Sequence, residues 1–271
     1  MEKNVVTPGD IVTAHPEIWP FSRPFLSHYK TFARPLPRPI TPNDQTNSLQ
    51  ISAILVFNDS RDWGLDATVI LDLLLSARGI LGTTSPLNNR PDLPNRGFQQ
   101  DGQPPIYFSN PDLLWAASYH LPRLGQGGFR AAVEGVWDAV TGGKSAGVML
   151  QKTIIGKPSR ETYVFAETQL RNHRETLAIS NYLNSHSSAD TEKDNLQRIY
   201  MVGDNPESDI RGANEYRSPW GSEWLSVLVR SGVYCGAEET TWKPRVVVND
   251  VRDAVKWALE REGWNVSEQE E

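Results

Sequence analysis

The stretch Met201-Val202-Gly203-Asp204-Asn205-Pro206-Glu207-Ser208-Asp209 limits the possible folds more than any other part of the chain. Ile199-Tyr200-Met201-Val202 reads as a buried strand, and Gly203-Asp204 ends it with a sharp turn. Asp209 returns at the start of a helical segment through Ala213. A strand that feeds a helix in this way belongs to a parallel α/β sheet, and such sheets bind ligands beyond the C-terminal ends of their strands. Two carboxylates at one strand-to-helix junction repel each other unless their charge is compensated. Two readings follow. Asp209 caps a helix and Asp204 is a turn residue, or both serve a hard cation such as Mg²⁺, which takes oxygen ligands and keeps several waters.

The rest of the chain fits the same class. Ile51 to Phe57 and Ile106 to Ser109 read as strands, and so do Thr153 to Gly156, Ser226 to Val229 and Arg245 to Val248. Helices are expected after Asp66, with Gly79 as a stop, and through Ala132, Val133, Val136, Trp137 and Val140. Others are expected from Arg160 to Leu183 and from Val251 to Ala258. Val5-Val6 reads as strand-like. Residues 20–50, with Pro20, Pro24, Pro35, Pro37, Pro39 and Pro42, read as a long loop laid on a surface by Trp19, Phe21, Phe25 and Tyr29. Residues 83–105 read as an insertion loop, Ser185 to Asn195 as a mobile polar loop, and Glu268 to Glu271 as a frayed acidic tail.

Composition excludes several classes. The 271 residues are 38% hydrophobic and 22% charged, enough apolar material for one large domain or two modest ones. The net charge of −6, with Lys and Arg scattered singly, argues against nucleic acid as a partner. The single cysteine, Cys235, rules out a disulfide within the chain and a cysteine zinc site, and it reads as a small buried strand residue. No apolar run approaches the roughly 20 residues of a membrane span. The first residues carry neither a basic stretch nor an apolar run of the secretory kind.

Familiar motifs fail on spacing. Gly142-Gly143-Lys144-Ser145 resembles the end of a phosphate-binding loop, but Asp138 stands where its first glycine belongs, and it reads as a helix C-terminal turn. Gly125-Gln126-Gly127 has Arg130 where a dinucleotide loop needs its third glycine. The five histidines show no metal spacing, and no G-x-S-x-G serine elbow is present. Asn58-Asp59-Ser60 and Asn265-Val266-Ser267 fit the glycosylation sequon without other signs of secretion. Ile155-Gly156-Lys157-Pro158 is different. It places a lysine at a second strand end, where an ammonium stabilises charge on phosphate oxygens and on an attacking carboxylate.

Gly156-Lys157-Pro158 followed by Gly203-Asp204 and Asp209 resembles the third and fourth motifs of the haloacid dehalogenase (HAD) superfamily. Ser109-Asn110-Pro111-Asp112, the glycine-rich turn, the helix and Thr141-Gly142 are similar to its type IIA members, which carry an α/β cap between the second and third motifs. Phosphoglycolate and pyridoxal phosphate phosphatases belong to that class. The likeness is strongest to the eukaryotic cat-eye-syndrome critical region hydrolase group. It runs through Val5 to Asp10, Pro16 to Phe21, Asp62 to Leu65, Phe108 to Trp115 and Met201 to Asn214.

The resemblance implies a partial HAD-like Rossmannoid parallel-sheet core with an α/β (C2-type) cap. The cap is expected over residues 1–152 and the C-terminal half of the core over 153–271. It implies that Lys157 contacts phosphate and nucleophile, that Asp204 ligates Mg²⁺ and that Asp209 supports the metal site. Asn110, Asp112 and Trp115 are expected near the substrate, a phosphorylated small molecule. It also implies a mitochondrial location, the reading otherwise being cytoplasmic, and for some fungal relatives a link to glycerophospholipid synthesis. The family opens with D-x-D-G, whose first Asp attacks, and a second motif binds phosphate; the sequence contains neither, since Asp59 and Asp62 are three apart and lead into Trp63. Without an attacking carboxylate, aspartyl-phosphate chemistry cannot proceed. The reading is therefore a truncated cap-plus-C-terminal-core portion of a phosphohydrolase, and the alternative is a non-catalytic member that binds a ligand or partner. The sequence leaves the oligomeric state open.

Overall fold

A computed structural model describes residues 5–185, 196–236 and 239–265. The polar stretch from residue 186 to 195 and the acidic tail lie outside the described residues. In chain order the helices are α1 (Pro8–Ala14), α2 (Leu26–Lys30), α3 (Trp63–Leu75), α4 (Gln126–Thr141), α5 (Arg160–Ser185), α6 (Arg211–Glu215) and α7 (Val251–Arg261). The strands are β1 (Ile54–Val56), β2 (Ile106–Phe108), β3 (Leu114–Trp115), β4 (Arg123–Leu124), β5 (Thr153–Ile154), β6 (Arg198–Gly203), β7 (Glu223–Val229) and β8 (Val246–Val248). Contacts divide the chain into two compact units. One comprises residues 1–109 and 125–154, the other residues 110–124 and 155–271.

The first unit is built on a parallel sheet in the order β1-β2-β5, with Ile54 opposite Ile106 and Phe108 opposite Ile154. Parallel neighbours need crossovers, and α3 and α4 provide them. α3 buries Leu65, Val69, Ile70, Leu73 and Leu74, and α4 buries Phe129, Val133 and Trp137 along one stripe. Val136 and Val140, expected on that stripe, are instead exposed, because successive four-residue steps from Phe129 already fill the face that meets the core. Each fully buried side chain of this size contributes about 1.5–3 kcal/mol. α4 ends at Gly142 in the left-handed region (φ 86°), so Gly142-Gly143 is the helix stop that its sequence suggested.

Several local expectations are corrected. Val5-Val6 is not a strand. Thr7 caps α1, its hydroxyl accepting from the Asp10 N–H (3.2 Å) while the Asp10 carboxylate accepts from the Thr7 N–H (2.8 Å). The proline-rich region is partly helical, since Pro16 and Pro20 each open a 3₁₀ turn and α2 follows, and a proline at the first helical position lacks only an N–H that has no partner there. Trp19 and Tyr29 pack on the core, whereas Phe21 and Phe25 are exposed. The insertion loop is tied down by side-chain amides that imitate a strand. Asn95 exchanges two hydrogen bonds with the Met149 backbone (2.9 and 2.7 Å), and Gln99 does the same with Gln151 (3.0 and 2.7 Å).

The second unit holds a parallel sheet in the order β6-β7-β8, with α5, α6 and α7 around it. β7 is the central strand, and Leu225 to Val229 are all buried. β6 lies at an edge, so only Ile199 is fully buried and Tyr200 to Gly203 are half-buried, in contrast to the buried strand expected there. β3 and β4 form a short antiparallel hairpin in this unit. Cys235 is exposed and lies in a loop, not buried on a strand. No helix among the described residues is long and apolar enough to cross a membrane.

Asp62, not Asp66, caps α3. Its Oδ1 accepts the Leu65 N–H (3.0 Å), and its Oδ2 accepts the hydroxyls of Ser22 (2.5 Å) and Tyr29 (3.0 Å), joining the helix to the proline segment. Partial burial pushes this carboxyl up, but the hydrogen bonds from Ser22, the Leu65 N–H and Tyr29 outweigh it and hold it below the usual carboxylate range. A lowered carboxyl stabilises the fold above its unfolded pKa of about 3.9 and loses that contribution as the pH falls through the folded value. Asp62→Ala is expected to cost about 1–2 kcal/mol at pH 7 by urea unfolding, the gap to wild type closing below about pH 4. An equal gap at pH 7 and pH 3 would show that the charge contributes nothing.

Candidate functional site at the end of the second sheet

The site is assembled where β6 runs out. Asn205 follows Asp204 with its side chain accepting the Glu207 N–H (3.0 Å), and Pro206–Ile210 form one wide π-type turn. This turn carries Asp209 back beneath the strand end, where it is 1% exposed. Gly203 serves that return by its lack of a side chain: a Cβ there would collide with the Asp209 carboxylate. Gly232 plays the same part for Asp204, because a Cβ at 232 would strike the Asp204 carboxylate. The loop around it then grips Asp204. The Val233 N–H donates to Oδ2 (2.7 Å), and the Tyr234 N–H donates to the Asp204 carbonyl (3.1 Å). This second loop was not singled out in the sequence. Its signal is a Ser231-Gly232-Val233 turn directly after β7, the strand beside β6.

Lys157 comes from the segment between β5 and α5, just after Gly156. Its Nζ lies 2.5 Å from Asp209 Oδ1, while Asp209 Oδ2 accepts the Asn205 N–H (3.0 Å). Both oxygens of Asp209 are therefore occupied by protein donors. Partial burial works against the charge of Lys157, but Asp209, and then Asp112 and Asp204, outweigh it and hold the ammonium above the usual lysine range. Asp112 belongs to the same unit, with its N–H held by Asn110 Oδ1 (2.9 Å) and its Oδ1 3.4 Å from the Asn205 amide. Burial, together with the like charges of Asp209 and Asp204, lifts its carboxyl above the usual range against the pull of the Ser208 hydroxyl and Lys157.

The expected residues are thus brought together in one unit: Lys157, Asp204 and Asp209, with Asp112 and Asn110 beside them. Trp115 is half exposed on the hairpin, and among the described residues no hydrogen bond or ring contact ties it to this group. One cation stands among three carboxylates. Such an arrangement carries more negative than positive charge, and a further positive group would lower its cost.

The ion pair joins a side chain that is 37% exposed to one that is 2% exposed. Removing the lysine strands a buried charge. Lys157→Met is expected to lower the urea unfolding free energy by about 2 kcal/mol, less than the roughly 3–5 of a fully buried pair because the lysine is partly hydrated. Adding Asp209→Asn should recover part of the loss. A raised lysine pKa adds stability below its unfolded value of about 10.4 and loses it as the pH climbs through the folded value, so the difference should persist from pH 7 to 10. An unchanged unfolding midpoint in Lys157→Met would contradict the pairing.

Residues 154–254 match the HAD-hydrolase-like family. The chain is 36% identical over 267 residues to a mitochondrial hydrolase of Saccharomyces cerevisiae, covering 96% of this chain and 67% of that protein. It is 37% identical over 211 residues to a cardiolipin synthase (CMP-forming)/mitochondrial hydrolase fusion protein of Schizosaccharomyces pombe, 78% of this chain and 29% of that one. Among solved structures, a possible sugar phosphatase of the HAD superfamily from Cytophaga hutchinsonii aligns with 14% identity and a TM-score of 0.36, over 84% of this chain and 54% of that one. That structural likeness is too low to carry an argument. The sequence relationship to the yeast hydrolase, over nearly the whole of this chain and two thirds of that protein, is enough: the chain belongs to the haloacid dehalogenase superfamily of hydrolases.

Proposed function

We propose that this chain supplies the charge-stabilising and metal-holding side of a type IIA phosphomonoester hydrolase acting on a phosphorylated small molecule in the mitochondrion. The observation that carries the reading is the position of Lys157 Nζ, set by Asp209 at the C-terminal end of β6 beside Asp204 and Asp112. An ammonium fixed there binds a phosphate dianion and stabilises the charge that builds on its oxygens as the ester bond breaks. Asn110 and Asp112, in the segment before the hairpin, stand near the substrate and influence its selection in this reading, supported by their closeness to Asn205. The mitochondrial location rests on the names of both fungal relatives, and a link to glycerophospholipid synthesis rests on the fusion partner of one of them.

The donor set fits Mg²⁺ through Asp204. Its Oδ2 takes the Val233 N–H, and its Oδ1 has no hydrogen-bond partner among the described residues. No three acidic, His or Cys side chains among the described residues converge into a ready cage. Mg²⁺ suits such a place, since it binds through one or two carboxylates and completes its shell with water and phosphate oxygens. Asp209, with both oxygens engaged, holds the lysine and supports the metal site from behind. When bound, the ion would neutralise phosphate charge and polarise the phosphoryl group. Aspartyl-phosphate chemistry also needs an attacking carboxylate in a D-x-D-G setting, which the sequence does not contain. Binding and charge stabilisation are what this chain contributes.

Calorimetric titration with inorganic phosphate, with and without Mg²⁺, tests this. Phosphate is expected to bind more tightly with Mg²⁺ present. Lys157→Met should weaken it by about tenfold or more, equivalent to about 1.4 kcal/mol, and Asp204→Asn should remove the Mg²⁺ dependence. The chain alone should not hydrolyse an aryl phosphate. Phosphate binding indifferent to Lys157→Met would overturn the proposal, and turnover abolished by Asp204→Asn would show that another carboxylate attacks.

A further inference from the structure

Lys157 and Asp209 stand 52 positions apart in sequence, so something lateral has to hold their two segments in register. Tyr163 spans the gap. It lies on α5, the helix that begins three residues after Lys157, and it is 2% exposed. Its hydroxyl is 3.2 Å from the Ser208 carbonyl and 3.2 Å from the Asp209 carbonyl. Both are acceptors, so the tyrosine donates its one proton to the pair. The ring is pressed against the start of α6, and a Cβ at Gly212 would overlap its hydroxyl.

The ring is held from behind. Tyr216 stacks on it (5.5 Å between centroids, 28° between planes), and Trp224 of β7 meets it edge-on (5.1 Å). Both of these donate in turn to Glu167 Oε2, Tyr216 through its hydroxyl (3.1 Å) and Trp224 through its indole N–H (3.2 Å). Glu167 lies one turn along α5 from Tyr163, is fully buried, and accepts on Oε1 from Arg171 (2.9 Å) and Ser218 (2.8 Å). A buried carboxylate satisfied by this many donors is a rigid anchor. Burial, reinforced by the charges of Asp209 and Asp112, pushes the Tyr163 phenol well above its usual range, so it remains a donor at any ordinary pH.

We infer that Tyr163 is a positioning residue. Its hydroxyl, on a ring that the Tyr216 and Trp224 rings pack in place, fixes the Ser208–Asp209 backbone so that the Asp209 carboxylate meets Lys157 Nζ and the Asn205 N–H at once. The inference rests on the reading of Lys157 as a phosphate-binding residue for its functional meaning, but its geometry does not. Tyr163→Phe removes the hydroxyl and keeps the ring. Tyr216→Phe is the matched control, because it keeps the ring that stacks on Tyr163, leaves Glu167 with its donors from Trp224, Arg171, Ser218 and Ser222, and deletes a hydroxyl that does not reach the turn.

The test is amide hydrogen exchange at Asn205, whose N–H reports directly on the Asp209 carboxylate, together with calorimetric binding of inorganic phosphate in Mg²⁺. Tyr163→Phe is expected to lose about tenfold or more in Asn205 protection and a similar factor in phosphate affinity, with Tyr216→Phe near wild type in both. Unchanged Asn205 protection in Tyr163→Phe would overturn the inference. So would equal losses in both variants, since that pattern marks a general loosening of the core. If wild type itself binds no phosphate, the proposed function fails, while the exchange measurement still decides the role of Tyr163.

Discussion

The second unit is organised around one buried charge. Asp209 sits at 1% exposure on a turn, and a carboxylate there is costly unless donors reach both of its oxygens. Lys157 supplies one and the Asn205 N–H the other. Much of the local sequence follows from that requirement. Gly203 leaves room for the carboxylate, Pro206 opens the wide turn that carries it back, and Gly232 lets the neighbouring loop close on Asp204. The lysine is thereby fixed before any ligand arrives.

The fold was legible where a single physical signal dominated. Met201 to Asp204 announced a strand that ends in a turn, and the Ala132, Val133, Val136, Trp137 and Val140 spacing announced α4, although Val136 and Val140 lie off its buried stripe. The sequence misled where two signals compete. Val5-Val6 has strand propensity, but Thr7 and Asp10 form a capping box that turns the chain into α1. Asp62 and Asp66 both suit a helix start, and the choice falls on Asp62 because Ser22 and Tyr29, some 40 and 33 residues away, also donate to it. Long-range partners of that kind leave no trace in a local window. Proline was read as a loop former in residues 20–50, whereas at the first position of a turn it is a helix starter.

The site divides along the same line. Lys157, Asp204 and Asp209 could be named from motif spacing, and the Lys157–Asp209 ion pair and the turn after β6 bring them together. Asp112 could be named only from a family resemblance, and the structure sets it beside the Asn205 amide. Tyr163 and Glu167 gave no signal at all. On a helical face a tyrosine reads as core and a glutamate as solvent-facing, and only the packing of Tyr216 and Trp224 between them shows that they act together. The supporting layer of a site is written in tertiary contacts, so it is the part that sequence reasoning reaches last.

The central claim is that Lys157 and Asp204 receive a phosphate and a magnesium ion side by side. The most direct measurement is anomalous diffraction from crystals of this chain soaked with Mn²⁺, an anomalously scattering stand-in for Mg²⁺, and tungstate, a heavy mimic of phosphate. The account requires a tungstate oxygen within about 3 Å of Lys157 Nζ and the manganese on the Asp204 carboxylate. Tungstate bound elsewhere, with Lys157 left on Asp209 alone, would contradict it.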